Sequence, residues 1–148
     1  MIRLIRTVPD KILREAAKPV PTDMNKIAFS HLTYDLFHTM TKNIGVGIAA
    51  PQIGEGFAMC IVGNHWPILM VNPLIMSTSG EVTEADESCL SIPDVVVAVR
   101  RPSIVKIFYE DEERNEAEIT LKGLKARVAQ HEIDHLNGVL ITDHGTPK

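Results

Sequence analysis

Two histidines and a glutamate near the end of the chain form a metal-binding pattern. The stretch AQHEIDHLNG, residues 129–138, places His131 and His135 four residues apart, with Glu132 directly after the first histidine. A helix would set both imidazoles one turn apart on the same face. A glutamate beside such a ligand could move a proton without binding the metal itself. A tetrahedral catalytic site takes three protein ligands, so a third must come from elsewhere in the chain.

The residues that follow do not supply this third ligand. The protease pattern HExxHxxGxxH has another histidine downstream, and Gly138 matches it, but Ile141 stands at the histidine position and His144 comes too late. Upstream, the segment EADESCLSIPD offers Cys89, whose thiolate would be a soft metal ligand. The alternative for Cys89 is a small buried apolar residue, which is how we interpret Cys60 in FAMCIVG. Spacing alone does not decide between these two roles.

A glycine-rich segment upstream of both candidate regions could approach a ligand closely. It reads NIGVGIAAPQIGEG and contains Gly45, Gly47 and Gln52. Glycines let a backbone pass close to a ligand, and the Gln52 amide could donate a hydrogen bond. The segment lacks the Gly-Lys-Ser/Thr ending of a phosphate loop, so a plain loop of small residues is the alternative interpretation.

The elements that must position these residues are helices at both ends of the chain and strands between them. The predicted helices run from Asp10 through Ala17, from Asp23 to Asn43, and from Gly123 to Asn137. Six short β-rich runs between Phe57 and Leu121 are separated by turn residues and predict a mainly antiparallel sheet. We therefore expect an α+β fold with a long N-terminal helix, in which antiparallel sheets pack around the C-terminal HExxH helix.

The last helix is predicted to have three kinds of surface. Leu124, Val128, His131 and His135 share one face, which would join an apolar wall to the candidate ligands. Ala126, Ala129, Ile133 and Leu136 form a neighbouring stripe suited to packing on the sheet. Arg127, Gln130 and Asp134 are predicted to point towards solvent.

Length and composition narrow the class of protein. The chain has 148 residues, which predicts one domain over residues 1–148, and 45% apolar with 23% charged residues is typical of a globular protein. A net charge of −4 gives no basic surface for nucleic acid, and no segment predicts a signal peptide or a membrane span. We expect a cytoplasmic protein whose two cysteines form no disulfide.

Taken together, three ordered motifs resemble the peptide deformylase family. The family patterns GxGxAAxQ, EGCLS and QHExxH correspond here to GVGIAAPQ, ESCLS and QHEIDH, and the similarity extends over nearly the whole chain. This resemblance implies that Cys89, His131 and His135 bind the metal and that Glu132 moves the proton. It also implies oxyanion stabilisation by the Gln52 amide and the Leu90 backbone N–H. The implied peptide-binding residues are Val46, Gly47, Leu124 and Val128.

The resemblance also implies the reaction and the partners. Such an enzyme removes the N-formyl group from the N-terminal formylmethionine of nascent polypeptides and releases formate. It would hold one divalent metal ion, Fe(II) in the cell, with Zn, Ni or Co as alternatives. The chain stops soon after TDH, as do forms encoded by some viruses, so we expect no C-terminal helix for ribosome docking. A virus-encoded form would act in the host cytoplasm.

Several residues depart from the family pattern or have two alternative interpretations. Ser88 replaces the family glycine before the cysteine, which raises the question whether this position needs a positive φ. Glu87 and Arg101 are predicted to pair behind the metal ligands, or alternatively to form an exposed pair of little worth. The four other histidines are expected on the surface: His31, His38, His65 and His144.

Two other functions compete with deformylation. A metallopeptidase with the same HExxH pattern would cleave internal peptide bonds and would tolerate loss of Cys89. A non-catalytic domain would use the metal structurally, but such a site needs a fourth protein ligand, and the three motifs offer none of the right type.

Overall fold

Two antiparallel sheets and two α-helices make up the fold in the computed structural model, which describes residues 1–148. The helices are α1 (Lys26–Lys42) and α2 (Gly123–Leu136). The strands are β1 (Gly47–Ala49), β2 (Met59–Val62), β3 (Ile68–Thr78), β4 (Val82–Cys89), β5 (Ile92–Pro102), β6 (Ile104–Glu110) and β7 (Glu116–Lys122). Three short 3-10 helices cover Lys11–Arg14, Ala50–Ile53 and Ile141–Asp143. Neither α-helix combines the length and apolar character needed to cross a membrane.

The larger sheet has the strand order β1-β2-β3-β6-β7, and α2 and α1 cover its opposite faces. Side chains alternate between the faces of a strand, so Cys60 and Val62 pack with α2 while Met59 and Ile61 pack with α1. This double cover explains why every residue of β2 is buried and why its sequence is continuously apolar. The smaller sheet contains only β4 and β5.

The first α-helix begins later than the sequence predicts. Its N-cap is Asn25, whose side chain accepts hydrogen bonds from the backbone N–H groups of Ile27 and Ala28. An asparagine here satisfies amides that have no partner inside the helix, so Asp23 stays outside. At the other end Ile44, rather than Gly45, adopts the left-handed conformation, with φ of 56°.

Only part of the apolar surface of α1 is buried. Leu32, Leu36 and Met40 lie in the core, together with partly buried Phe29. Phe37 is 37% exposed, because it lies on the side of the helix turned away from the sheet.

Two elements differ from the sequence prediction near the N-terminus and the glycine-rich segment. The helix predicted from Asp10 is only the 3-10 helix Lys11–Arg14, where the Asp10 side chain accepts from Ile12 N at 3.1 Å. The segment interpreted as a loop contains β1, which pairs with β2 in the register Gly47↔Val62. A strand of three residues is too short to give an alternating pattern, so pairing with β2 must specify it.

Gly138 closes α2 where the chain returns past the N-terminal region. Its φ is 72°, and a Cβ atom placed on it would lie 2.6 Å from the Arg14 carbonyl oxygen. A side chain at this position would therefore meet backbone, which cannot rotate away. The glycine is required both by its left-handed backbone and by this close approach.

We predict that Gly138→Ala destabilises the protein by more than Gly123→Ala. Gly123 also has a positive φ, 61°, but a Cβ there meets no atom within 4 Å, so its substitution should cost only the left-handed strain of about 1–2 kcal/mol. Urea unfolding of both variants would measure the difference. Equal free energies of unfolding would contradict the close contact with Arg14.

Candidate metal centre

Three side chains that commonly bind metals converge between β4 and α2. Cys89 is the last residue of β4, and His131 and His135 lie on successive turns of α2. One sulfur or nitrogen atom from each residue lies within 4.8 Å of the other two. Cys89 Sγ is 3.3 Å from His135 Nε2, close to the separation of about 3.5 Å that tetrahedral thiolate and imidazole ligands would have. The cluster could therefore hold one metal ion.

The chemistry of these donors fits a divalent transition metal. His131 places Nδ1 2.9 Å from Glu87 Oε1, which leaves its Nε2 free as a ligand atom. Burial, with a further contribution from nearby His131, lowers the pKa of His135 to about 3, so its ring is neutral, as a ligand must be. Hydrogen bonds to Cys89 and Glu87 outweigh burial and raise the pKa of His131 to about 10, so a metal would have to displace this proton.

Glu87 is buried behind His131 and is matched by several donors. Arg101 donates to both of its carboxylate oxygens, from Nε to Oε2 at 2.7 Å and from Nη2 to Oε1 at 2.9 Å. Arg127 adds a bond from Nη1 to Oε2 at 2.8 Å. Although burial opposes ionisation, His131 and the two arginines hold the pKa of Glu87 well below its usual range. Glu87 and Arg101 are 7% and 4% exposed, which excludes the alternative of a solvated surface pair.

The prediction that Arg127, Gln130 and Asp134 face solvent is wrong. Gln130 is buried, and its Nε2 donates to the carbonyls of Pro102 and Ala126, both at 3.0 Å. Asp134 accepts from Arg101 Nη1 at 2.9 Å, and Arg127 reaches the smaller sheet. These polar residues lie at an interface inside the protein, between α2 and the smaller sheet. The sequence pattern of the helix predicts an exposed side here, but β4 and β5 cover it.

Glu132 lies against β1 in a buried position. It is 4% exposed, and its Oε2 has no hydrogen-bond partner. Burial raises its pKa to about 7, despite the nearby charge of His131. A Cβ atom on Gly47 would lie 2.7 Å from Glu132 Oε1, so the carboxylate occupies space that any other residue at position 47 would fill. The sequence predicted that the glycine-rich segment passes close to a ligand; the structure shows that its backbone passes close to the Glu132 side chain.

Gln52 turns the hydrogen-bond donors of its amide towards Cys89. Its Oε1 accepts from Ala49 N at 2.9 Å, which fixes the orientation of the amide. Its Nε2 then faces Ser91 Oγ at 3.2 Å and Cys89 Sγ at 3.8 Å. Leu90 lies between these two residues, in the turn that joins β4 to β5. Ser91 had no role in the sequence prediction, although it stands inside the ESCLS segment.

A cavity of about 750 Å³ opens beside this cluster. Val46, Leu90, Leu124 and Val128 line it, together with Gln52 and Glu132. Val128 is buried, while Leu124 is 72% exposed at the mouth. The Val46 carbonyl accepts from Gly63 N at 2.8 Å and is therefore held by the neighbouring loop. The cavity combines apolar walls with a few oriented polar groups, as small-molecule and peptide sites do.

The remaining candidates lie at the edge of the site or away from it. Ser88 lines the cavity without a positive φ, so a glycine conformation is not needed there. Cys60 is buried in the core between the larger sheet and α2. His31 and His65 are exposed and His38 is half-buried. His144 is exposed too, but it contacts Asp134 Oδ2 at 2.8 Å rather than lacking a partner.

A family model described as polypeptide deformylase matches residues 2–148. The chain is 46% identical over 143 residues to a peptide deformylase of Thermoanaerobacter pseudethanolicus, with 96% of this chain and 88% of that protein covered.

Two solved structures share the fold. A class I type b peptide deformylase of Acinetobacter baumannii with Met-Ala-Ser bound superposes with a TM-score of 0.93 at 32% identity, covering 97% of this chain and 98% of that one. A probable peptide deformylase from Synechococcus phage S-SSM7 gives a TM-score of 0.89 at 37% identity, covering 95% and 97%.

We predict that Arg101→Met lowers the free energy of unfolding by roughly 3–5 kcal/mol, because it leaves a buried carboxylate without its main partner. Arg100→Met is the matched control, since Arg100 is exposed and lies 3.8 Å from Glu84 on the surface; it should cost about 0–1 kcal/mol. Urea unfolding in the presence of a chelator would compare them without metal. Similar values for the two variants would contradict the importance of the buried pair.

Proposed function

The chain belongs to the polypeptide deformylase family, and on this premise we propose that Cys89, His131 and His135 hold one divalent metal ion at its active centre. Residues 1–148 would form a single catalytic domain. The observation that supports this most directly is the convergence of a thiol and two imidazoles beside a buried glutamate, at the wall of an apolar cavity. Three protein ligands leave one position of a tetrahedral ion open, which is the arrangement of a catalytic site.

The reaction of the family is hydrolysis of the N-formyl group on the first methionine of a nascent polypeptide. When bound, a divalent ion lowers the pKa of water and polarises a carbonyl group. Glu132 would accept a proton from the attacking water and deliver it to the leaving amine. Burial raises the pKa of Glu132, which favours its accepting a proton. The products are formate and a free N-terminal amine.

Gln52 and Leu90 would stabilise the negative charge that develops on the formyl oxygen. The bond from Ala49 N to Gln52 Oε1 prevents the amide from turning, so its Nε2–H donors are directed to the site before substrate arrives. Donors fixed in this way need no reorganisation during the reaction and therefore stabilise the transition state more than mobile ones. We assign the Leu90 backbone N–H the second donor role because Leu90 directly follows Cys89 in the turn.

The cavity supports recognition of a short apolar N-terminus. Leu124 and Val128 would contact the methionine side chain, while Val46 and Gly47 would bind the peptide backbone as an added strand beside β1. The A. baumannii relative binds Met-Ala-Ser, which is a peptide of this kind. Backbone recognition makes few demands on later side chains, as an enzyme acting on many nascent chains requires.

The Cys-His-His donor set favours a metal ion of intermediate softness. A thiolate with two imidazoles suits Fe(II), Zn, Co and Ni, and we propose Fe(II) in the cell. A thiolate-ligated iron site is prone to oxidation, so aerobic handling would favour replacement by Zn or Ni.

We predict that the anaerobically prepared Fe(II) protein releases formate from a formyl-Met tripeptide, and that Glu132→Gln lowers kcat about 10²–10⁴-fold. The variant should keep its metal, because Glu132 is not among the ligands. Formate release and metal content would be measured on the same samples.

The same experiment separates the alternative functions. An internal peptidase would cleave unformylated peptides and would retain metal and activity after Cys89→Ala. A non-catalytic domain with a structural metal would release no formate, with or without Glu132. Absence of formate release from the fully Fe(II)-loaded protein would overturn the proposed activity.

We also predict that Gly47→Ala lowers kcat roughly 10²-fold without loss of metal. The new methyl group would lie 2.7 Å from Glu132 Oε1 and 2.9 Å from Val128 Cγ1, so the carboxylate must move, and misplacement by about 1 Å has effects of this size. Gly56→Ala is the control, because a Cβ there meets no atom within 4 Å. Unchanged kcat in Gly47→Ala would contradict the packing of Glu132 against β1.

A further inference from the structure

The proposed metal ligands come from two parts of the fold that share no backbone ladder. Cys89 ends a strand of the smaller sheet, whereas both histidines lie on α2, whose apolar side packs on the larger sheet. Cys89 also belongs to a separate apolar cluster, with Ile92 and Val97 among its members. The distance between the thiolate and the imidazoles therefore depends on the contacts that hold the smaller sheet against the helix.

Arg127 makes four such contacts from the helix. Its Nη1 donates to Glu87 Oε2 and to the Val99 carbonyl, both at 2.8 Å. Its Nη2 donates to the Thr83 carbonyl at 2.8 Å and to Thr83 Oγ1 at 3.3 Å. Thr83 and Glu87 lie on β4 and Val99 lies on β5, so one side chain joins the helix to both strands. The side chain is only 11% exposed, and hydrogen bonds shielded from water are stronger.

A second contact between the same elements lies further along the helix. Arg101 on β5 donates to Asp134, which is two helical turns after Arg127. Gln130 and His131 lie between these two contacts on the helix and also touch the smaller sheet: Gln130 Nε2 donates to the Pro102 carbonyl at 3.0 Å, and His131 Nδ1 lies 2.9 Å from Glu87 Oε1. Of these helix residues, Arg127 is the one that bonds both β4 and β5.

We propose that Arg127 is a positioning residue for the metal centre, which holds the strand bearing Cys89 at the distance from α2 that lets the thiolate and both imidazoles share one ion. This inference rests on the proposed function, because it takes Cys89, His131 and His135 as the ligands. Arg127 does not touch the metal; it acts through β4, β5 and Glu87.

The test uses the full chain loaded with Co(II), whose visible spectrum reports thiolate coordination and ligand geometry. Arg127→Met keeps most of the apolar stem of the side chain but removes all four hydrogen bonds. We expect it to weaken the thiolate-to-cobalt band and to speed the release of Co(II) to a chelator by roughly 10–100-fold. Arg100→Met is the control, because Arg100 pairs only with Glu84 in the same sheet, and it should match the wild type in both measurements.

Arg127→Lys covers the case in which the methionine variant does not fold. A lysine keeps the charge beside Glu87 but cannot bond Glu87, Val99 and Thr83 together, so its Co(II) should also leave faster than from the wild type. A wild-type spectrum and release rate in folded Arg127→Met, or in Arg127→Lys where the former is unfolded, would overturn the inference. Absence of a thiolate band in the wild-type protein would instead overturn the proposed ligand set.

Discussion

A carboxylate taken out of water is costly unless its oxygens are matched by donors, and Glu87 meets this requirement with partners from two other elements. Arg101 comes from β5, and Arg127 and His131 come from α2, while Glu87 itself lies on β4. The Glu87 carboxylate can therefore keep all of its donors only if the smaller sheet and α2 hold one relative position. That position also sets the tautomer of His131 and brings Cys89 to the histidines. A group outside the proposed ligand set thus sets where the proposed metal ligands lie.

The apolar packing of the fold supports α2 rather than setting the positions of the individual polar side chains. The larger sheet is covered by α1 on one face and α2 on the other, so it gives α2 a rigid support. The smaller sheet has its own apolar cluster and contacts α2 through charged and polar groups. Hydrophobic burial is non-directional and roughly proportional to area, whereas hydrogen bonds to charged groups have narrow distances and angles. Burial of apolar area therefore supports α2, whereas the hydrogen-bonded charged groups set the fine geometry of the site.

The sequence predicted the elements of the fold where their patterns are local. The continuous apolar run of β2 and the spacing of His131 and His135 on α2 are such features, and six of the seven strands overlap predicted β-rich runs. The sequence could not show β1, which is specified by its partner strand, nor the N-cap at Asn25, since Asp23 is an equally good capping residue.

The candidate site was less predictable in its supporting residues. Arg127 and Gln130 are polar residues on an amphipathic helix, and such residues normally face solvent. Here a second sheet covers that side, and this follows from tertiary packing rather than from helix periodicity. Ser91 was missed for a similar reason: a single hydroxyl gives no signal until Gln52 is placed beside it. The Glu87–Arg101 pairing was one of two alternatives that the resemblance to the family suggested, and the sequence could not show that the pair is buried.

The fit of Glu132 into the space beside Gly47 couples two positions that are far apart in the chain. A larger residue at position 47 fits only if the side chain at position 132 retracts, yet a shorter acid there would withdraw the carboxylate that we propose transfers the proton. The same fit limits redesign. A larger pocket for the acyl group has to be made at other walls, because the wall beside Gly47 is formed by the Glu132 carboxylate.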